Sequence, residues 1–139
     1  MLPGRVIPFT GSERSRSRGA GRIQKVLQIG RDSELLHLRA RVLSSAGYTV
    51  HSITPDHAQA ELLKANAAQV WVFCHTLEPY ELALLAVAVR NRRPEDKLLR
   101  MNNFDQIRQL PGLFDGFLEP ADGVDELLQT VDHLAKNHR

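Results

Sequence analysis

The only cysteine of the chain, Cys74, closes the apolar run "QVWVFC" and is followed at once by His75. A thiol beside an imidazole is the pairing of a nucleophile and its base. Neighbours on a strand point to opposite faces, however, so adjacency argues against this pair, and a more distant His51 or His57 would have to serve instead. A thiol is reactive only where a cation or a helix N-terminus lowers its pKa, and Arg31 is a candidate cation. The competing reading is a buried cysteine acting as a small apolar residue.

Other chemistries find less support. The six histidines (His37, His51, His57, His75, His133, His138) form no ligand spacing with a nearby cysteine or acid, so no metal is expected. After the first apolar run stands "GRDS", which is neither a GxGxxG nor a Walker loop, so no nucleotide cofactor is expected either. One cysteine cannot form an internal disulfide, which fits a reducing compartment. "MLPGRVIPFT" has no signal-peptide h-region, and the aliphatic run "LALLAVAV" is too short to span a bilayer. A cytoplasmic protein without membrane partners is the expectation.

Charge divides the chain in two. Residues 1–22 carry five arginines against one acid, and the remaining residues carry thirteen basic against fifteen acidic side chains. The Arg/Ser-rich segment 1–23 has too little apolar surface to offset its ordering entropy and reads as a disordered arm. Arginines in such an arm can neutralise phosphates, but a solvated leader is the simpler reading, and nucleic acid is disfavoured as a partner. Residues 24–139 are expected to form one domain.

From Lys25 onward, short apolar runs alternate with amphipathic stretches. "KVLQI", "YTVHSI", "QVWVFC", "KLLRM" and "DGFLE" read as strands. A helix over residues 33–46 is capped by Asp32, carries Glu34 in its first turn and stops at Gly47. Its Leu35, Leu38 and Val42 form the expected inner stripe, with Leu36 and Leu43 beside it. Thr54 and Pro55 open a second helix, "EPYELALLAVAVRNR" forms a third, and residues 123–137 form the last. This order implies an α/β fold, a five-stranded parallel sheet with helices on both faces in three αβα layers. Only about a dozen residues separate the fourth and fifth strands, so a shortened fourth helix is expected there. In such sheets ligands bind beyond the C-terminal strand ends, which places Cys74 on the functional rim. Leu82, Leu85 and Val89 of the third helix belong to an apolar set spread over more than one face, and they mark a candidate interaction face or homodimer contact. Arg100, within a strand that should be buried, needs a partner.

Several strings resemble the receiver domain of two-component response regulators. "VLQIGRDSELLHLRARVLSSAGYTV" resembles its opening strand, helix and second strand. "AAQVWVFCHTLEP" resembles the phosphoacceptor strand, "RRPEDKLLRMN" the approach to strand four, and "FLEPADGVDELLQTV" the Lys-Pro loop and last helix. The resemblance implies a flavodoxin-like sheet of order 2-1-3-4-5. It also assigns site positions. The metal-binding acid pair falls on Gly30 and Arg31, with the adjacent Asp32 retained; the phosphoacceptor falls on Cys74, the hydroxyl on Asn102 (or on Met101 in a register shifted by one) and the lysine on Glu119. Mg²⁺ requires oxygen ligands, and these substitutions remove most of them. The expectation is a degenerate receiver-like module, not an enzyme and without catalytic residues, which signals by binding a protein partner independently of phosphorylation. With no effector domain after the last helix, its output would pass through contacts. A thiol-based switch or enzyme at Cys74 and a nucleic-acid-associated role for the arm are the alternatives. The reversed polarity of Arg31 and Glu119 further suggests an ion pair between them.

Overall fold

The computed structural model describes residues 24–62, 64, 68–101 and 112–136. The arm at residues 1–23 and the shortened fourth helix expected within residues 102–111 lie outside the described residues, as does Asn102.

Five short strands form one parallel sheet: β1 (Lys25–Ile29), β2 (Thr49–Ile53), β3 (Val70–Phe73), β4 (Lys97–Met101) and β5 (Gly116–Leu118). Their spatial order is β2-β1-β3-β4-β5, the expected 2-1-3-4-5. Register sets Leu27 against Trp71 and Ile29 against Phe73, so the two central strands end level with each other. All four residues of β3 are buried, as an unbroken apolar run covered on both faces requires.

The helices are α1 (Ser33–Ser45), α2 (Ala58–Leu62), α3 (Pro79–Arg92) and α4 (Val124–Lys136). Alternation along the strands divides the core into two layers. Leu27, Ile29, Trp71, Phe73 and Leu98 pack against Leu62 of α2 and against Leu82, Leu85, Ala86 and Val89 of α3. Val26, Val70, Val72, Leu99, Met101 and Leu118 pack on the other face against Leu43 of α1 and Leu127, Val131 and Leu134 of α4. The Trp71 indole N–H donates to the fully buried Asp96 at 2.9 Å, and Arg93 Nε donates to the same carboxylate at 2.9 Å. Arg100 is also buried, with its guanidinium 5.7 Å from the centre of the Phe114 ring.

Local signals act where expected. Asp32 accepts the Leu35 N–H at 3.2 Å, and Gly47 ends α1 with a φ of 103°, a conformation that costs glycine little. The segment after Pro55 departs from expectation in its first turn: a 3-10 turn at Pro55–His57 precedes the α-helical residues Ala58–Leu62.

Two helix faces are corrected. The buried face of α1 is Leu36, Arg39 and Leu43, spaced i, i+3 and i+7. Leu35 is only half-buried, and Leu38 is 57% exposed. The helix therefore turns an arginine inward. Likewise Leu82, Leu85 and Val89 do not form a surface: they are buried on the sheet side of α3. The outward apolar residues of that helix are Tyr80, Leu84 and Val87. Two interleaved stripes on one helix look alike in sequence, and only the sheet decides which one is covered.

Candidate functional site

The C-terminal ends of β1 and β3 bring the first group of site residues together. The sheet ladder runs one residue past each strand: Gly30 N–H donates to Ile53 O at 3.2 Å, and Cys74 N–H to Ile29 O at 3.0 Å. Gly30 and Cys74 thus become side-by-side neighbours on adjacent strands. A Cβ added to Gly30 would lie 2.9 Å from Cys74 Cβ, 3.1 Å from its Sγ and 3.2 Å from Thr76 Oγ1. The space that a side chain at position 30 would use is filled by Cys74. The two loops are also latched to each other, because Arg31 N–H donates to Thr76 Oγ1 at 3.0 Å.

The thiol is enclosed. Cys74 is 2% exposed, and burial pushes its pKa up to about 11 against the opposing pull of Arg39. Arg39, itself buried in α1, sets Nη1 3.4 Å from Sγ. This guanidinium is the cation beside the thiol, in place of Arg31, and it does not outweigh desolvation. Burial and the nearby Arg39 hold His75 below the ordinary histidine value, while Asp32 opposes them. The distant histidines are engaged elsewhere, His51 with Glu61 at 2.9 Å and His57 with Thr54 at 3.0 Å. Burial thus disfavours the thiolate, the form in which a cysteine reacts.

Arg31 does not pair with Glu119. Its guanidinium forms a two-pronged contact with Glu81 in the first turn of α3, Nε donating to Oε1 at 3.2 Å and Nη2 to Oε2. Hydrogen bonding to Glu81 is the main cause that raises Arg31 above its ordinary value. Glu119 stands at the end of β5 and begins a 3-10 turn, where its N–H donates to Asp122 at 2.8 Å. Residues on three elements therefore close one rim: Gly30 and Arg31 after β1, Arg39 in α1, and Cys74, Thr76 and Glu81 around the β3–α3 connection.

Arg39 and Glu81 were not among the residues expected at the site. Glu81 also accepts the Glu78 N–H at 3.3 Å, so in sequence it reads as part of an ordinary helix cap. Arg39 gives no sign beyond its spacing from Leu36 and Leu43.

The residues after β1 do not fit a Mg²⁺ ion. Gly30 has no side chain and no room for one, Arg31 is a cation, and Asp32 accepts the Leu35 N–H as the α1 cap. Among the described residues no group of three or more His, Cys, Asp and Glu side chains could hold a metal.

No family model and no curated protein matches this chain. Solved structures do. The response regulator TrrA from Thermotoga maritima, determined in complex with Mg²⁺-BeF, superposes with a TM-score of 0.70 at 15% identity, covering 81% of this chain and 99% of that one. Chemotaxis response regulator CheY4 of Vibrio cholerae gives 0.70 at 18% identity, over 81% of this chain and 99% of that one. The fold is that of a response-regulator receiver. An adenylate cyclase from Rhodopirellula baltica gives 0.73 at 18% identity, over 84% of this chain and 90% of that one. At these identities the likeness establishes architecture, and the chemistry has to be argued from the rim residues. Among the described residues no helix is long and apolar enough to cross a membrane.

Proposed function

We infer that this chain is a degenerate receiver-like module of two-component signalling, one that works by binding a protein partner without being phosphorylated. The observation that carries the reading is the packing of Cys74 against Gly30. A receiver that accepts a phosphoryl group needs carboxylates at this rim to hold Mg²⁺ and to attack the donor. Here the phosphoacceptor position holds a buried thiol, and an acid at position 30 has nowhere to go. Arg31, at the second acid position, is engaged by Glu81, and Glu119 stands at the lysine position. The latches from Arg31 to Thr76 and Glu81 join the loops after β1 and β3 without metal or phosphate, a permanent form of the closure that ligands supply transiently elsewhere.

Output then passes through surface contacts in the cytoplasm. Tyr80, Leu84 and Val87 form an outward apolar stripe on α3, next to the Arg31–Glu81 latch, and this stripe is the face we assign to the partner. The test is incubation with acetyl phosphate and Mg²⁺ followed by intact mass. The expected result is an unchanged mass; a gain of one phosphoryl group, stable enough to map to one peptide, would overturn the reading.

A further inference from the structure

A cavity of about 170 Å³ opens between α1 and α4, just beyond the rim. Its walls are aliphatic: Leu38 and Val42 from α1, Met101 and Leu118 from the sheet, and Val124 and Leu127 from α4. Two charged residues also line it, Arg39 and Glu119. Arg39 is 8% exposed, and its one hydrogen bond among the described residues goes to the Cys74 thiol, a weak acceptor. A guanidinium carries five N–H donors, so most of its capacity is uncommitted. Glu119 has no cationic partner among the described residues, and no hydrogen bond joins it to Arg39. Leu38 and Val124 are 57% and 51% exposed, so the cavity is open to solvent on an apolar side.

A buried cation needs an anion. A simple carboxylate would meet Glu119 on the same wall, and a simple amine would meet Arg39. A zwitterion satisfies both. An engineered apolar cavity of roughly 150 Å³ admits benzene, so the space here suits about six to nine non-hydrogen atoms. We propose that this cavity binds a small aliphatic α-amino acid of the size of valine or leucine, with its carboxylate on Arg39, its ammonium on Glu119 and its side chain against the aliphatic wall. Arg39 touches Cys74 as well as the cavity, so an occupant would draw on the same guanidinium that braces the closed rim. The site stands independently of whether the rim accepts a phosphoryl group.

The test is a titration of the full chain with L-leucine, 4-methylpentanoate and 3-methylbutylamine, followed by calorimetry and by the amide NMR signals of the cavity residues. The two analogues each lack one of the two charges. Leucine is expected to saturate, and each analogue to bind at least about tenfold more weakly, the scale of a lost charged hydrogen bond. Glu119→Gln is expected to weaken leucine and strengthen 4-methylpentanoate, and Arg39→Met to abolish binding of both. Equal binding of leucine and 4-methylpentanoate by the wild type would overturn the proposal. So would the absence of saturable shifts up to about 10 mM, tenfold above a weak millimolar Kd. The wild-type series decides without the variants, so a variant that fails to fold leaves the test intact.

Discussion

Alanine at position 30 tests whether Cys74 has taken the space of the lost side chain. The added Cβ would sit 2.9 Å from Cys74 Cβ and 3.1 Å from Sγ, where carbon atoms prefer about 3.5–4.0 Å. Strand ends must therefore part by several tenths of an ångström, and overpacking of this kind costs about 1–3 kcal/mol. Replacing glycine also removes freedom from the unfolded chain, which returns about 0.4–1 kcal/mol where the backbone allows. The net expectation for Gly30→Ala is a loss of about 1–2 kcal/mol, or roughly 4–8 °C in Tm for a domain of this size. The cause is separated from other effects by a double-mutant cycle. Cys74→Gly deletes two of the three close contacts, so in that background Gly30→Ala should cost less than about 0.5 kcal/mol. Cys74→Ala removes only the Sγ contact and should give an intermediate value. Urea unfolding read by Trp71, the single tryptophan and fully buried, measures all of these. A neutral Gly30→Ala, or an equal cost in every background, would refute the packing argument.

Cys74 should resist alkylation in the native protein. With its pKa pushed up to about 11, only about one thiol in three thousand is ionised at pH 7.5. Iodoacetamide should therefore label it only after unfolding, and rapid native labelling would restore the thiol-switch reading. The acid limb of stability should depend on Glu61. Burial acts to raise its pKa, but Lys64 and His51 together hold it below the ordinary carboxylate value. A depressed folded pKa means stability that is present above the unfolded value, about 4.3, and lost as pH falls through the folded one. Glu61→Gln should be less stable near neutrality and should lose less between about pH 5 and pH 3; parallel acid unfolding curves would reject this role. The Arg31–Glu81 contact is on the surface, so Glu81→Gln should hardly change the unfolding midpoint. It should instead raise the amide exchange rate of Arg31 and Thr76 at the latch, and unchanged exchange would count against a bracing function.

The architecture was legible because it rests on repeated local signals. Each strand is a short apolar run closed by a cap or a turn residue, and Asp32 and Gly47 set the limits of α1 as their chemistry dictates. Faces were harder. On α1 the leucines at 35 and 38 read as the inner stripe, yet the sheet covers Leu36, Arg39 and Leu43. Nothing local distinguishes two leucine stripes offset by about 100°, and an arginine in one of them argues for the wrong choice. The same ambiguity on α3 placed Leu82, Leu85 and Val89 outside when they are core. At the rim, the resemblance to receivers pointed to Gly30, Arg31, Cys74 and Glu119 and proposed that carboxylate and lysine chemistry is lost there; how these residues are engaged in the fold was not legible. Arg31 could be expected to find an acid, but Glu81 is fifty residues away, hidden in a helix cap, and became a partner only once β1 and β3 were laid side by side. Nothing in the sequence set Arg39 apart from the other arginines, since its role comes from a thiol and a cavity that exist only in the folded chain.

The central claim is that this receiver fold has a rim closed by its own side chains and unable to take metal with a phosphoryl group. Its most direct test is a titration with Mg²⁺ and beryllofluoride, a phosphoryl mimic, followed through the amide signals of Gly30, Arg31, Cys74 and Thr76. The account predicts no change at these four residues beyond the effect of added salt. A saturable shift centred on them would contradict it, because it would mean that the space filled by Cys74 opens to admit the ligand.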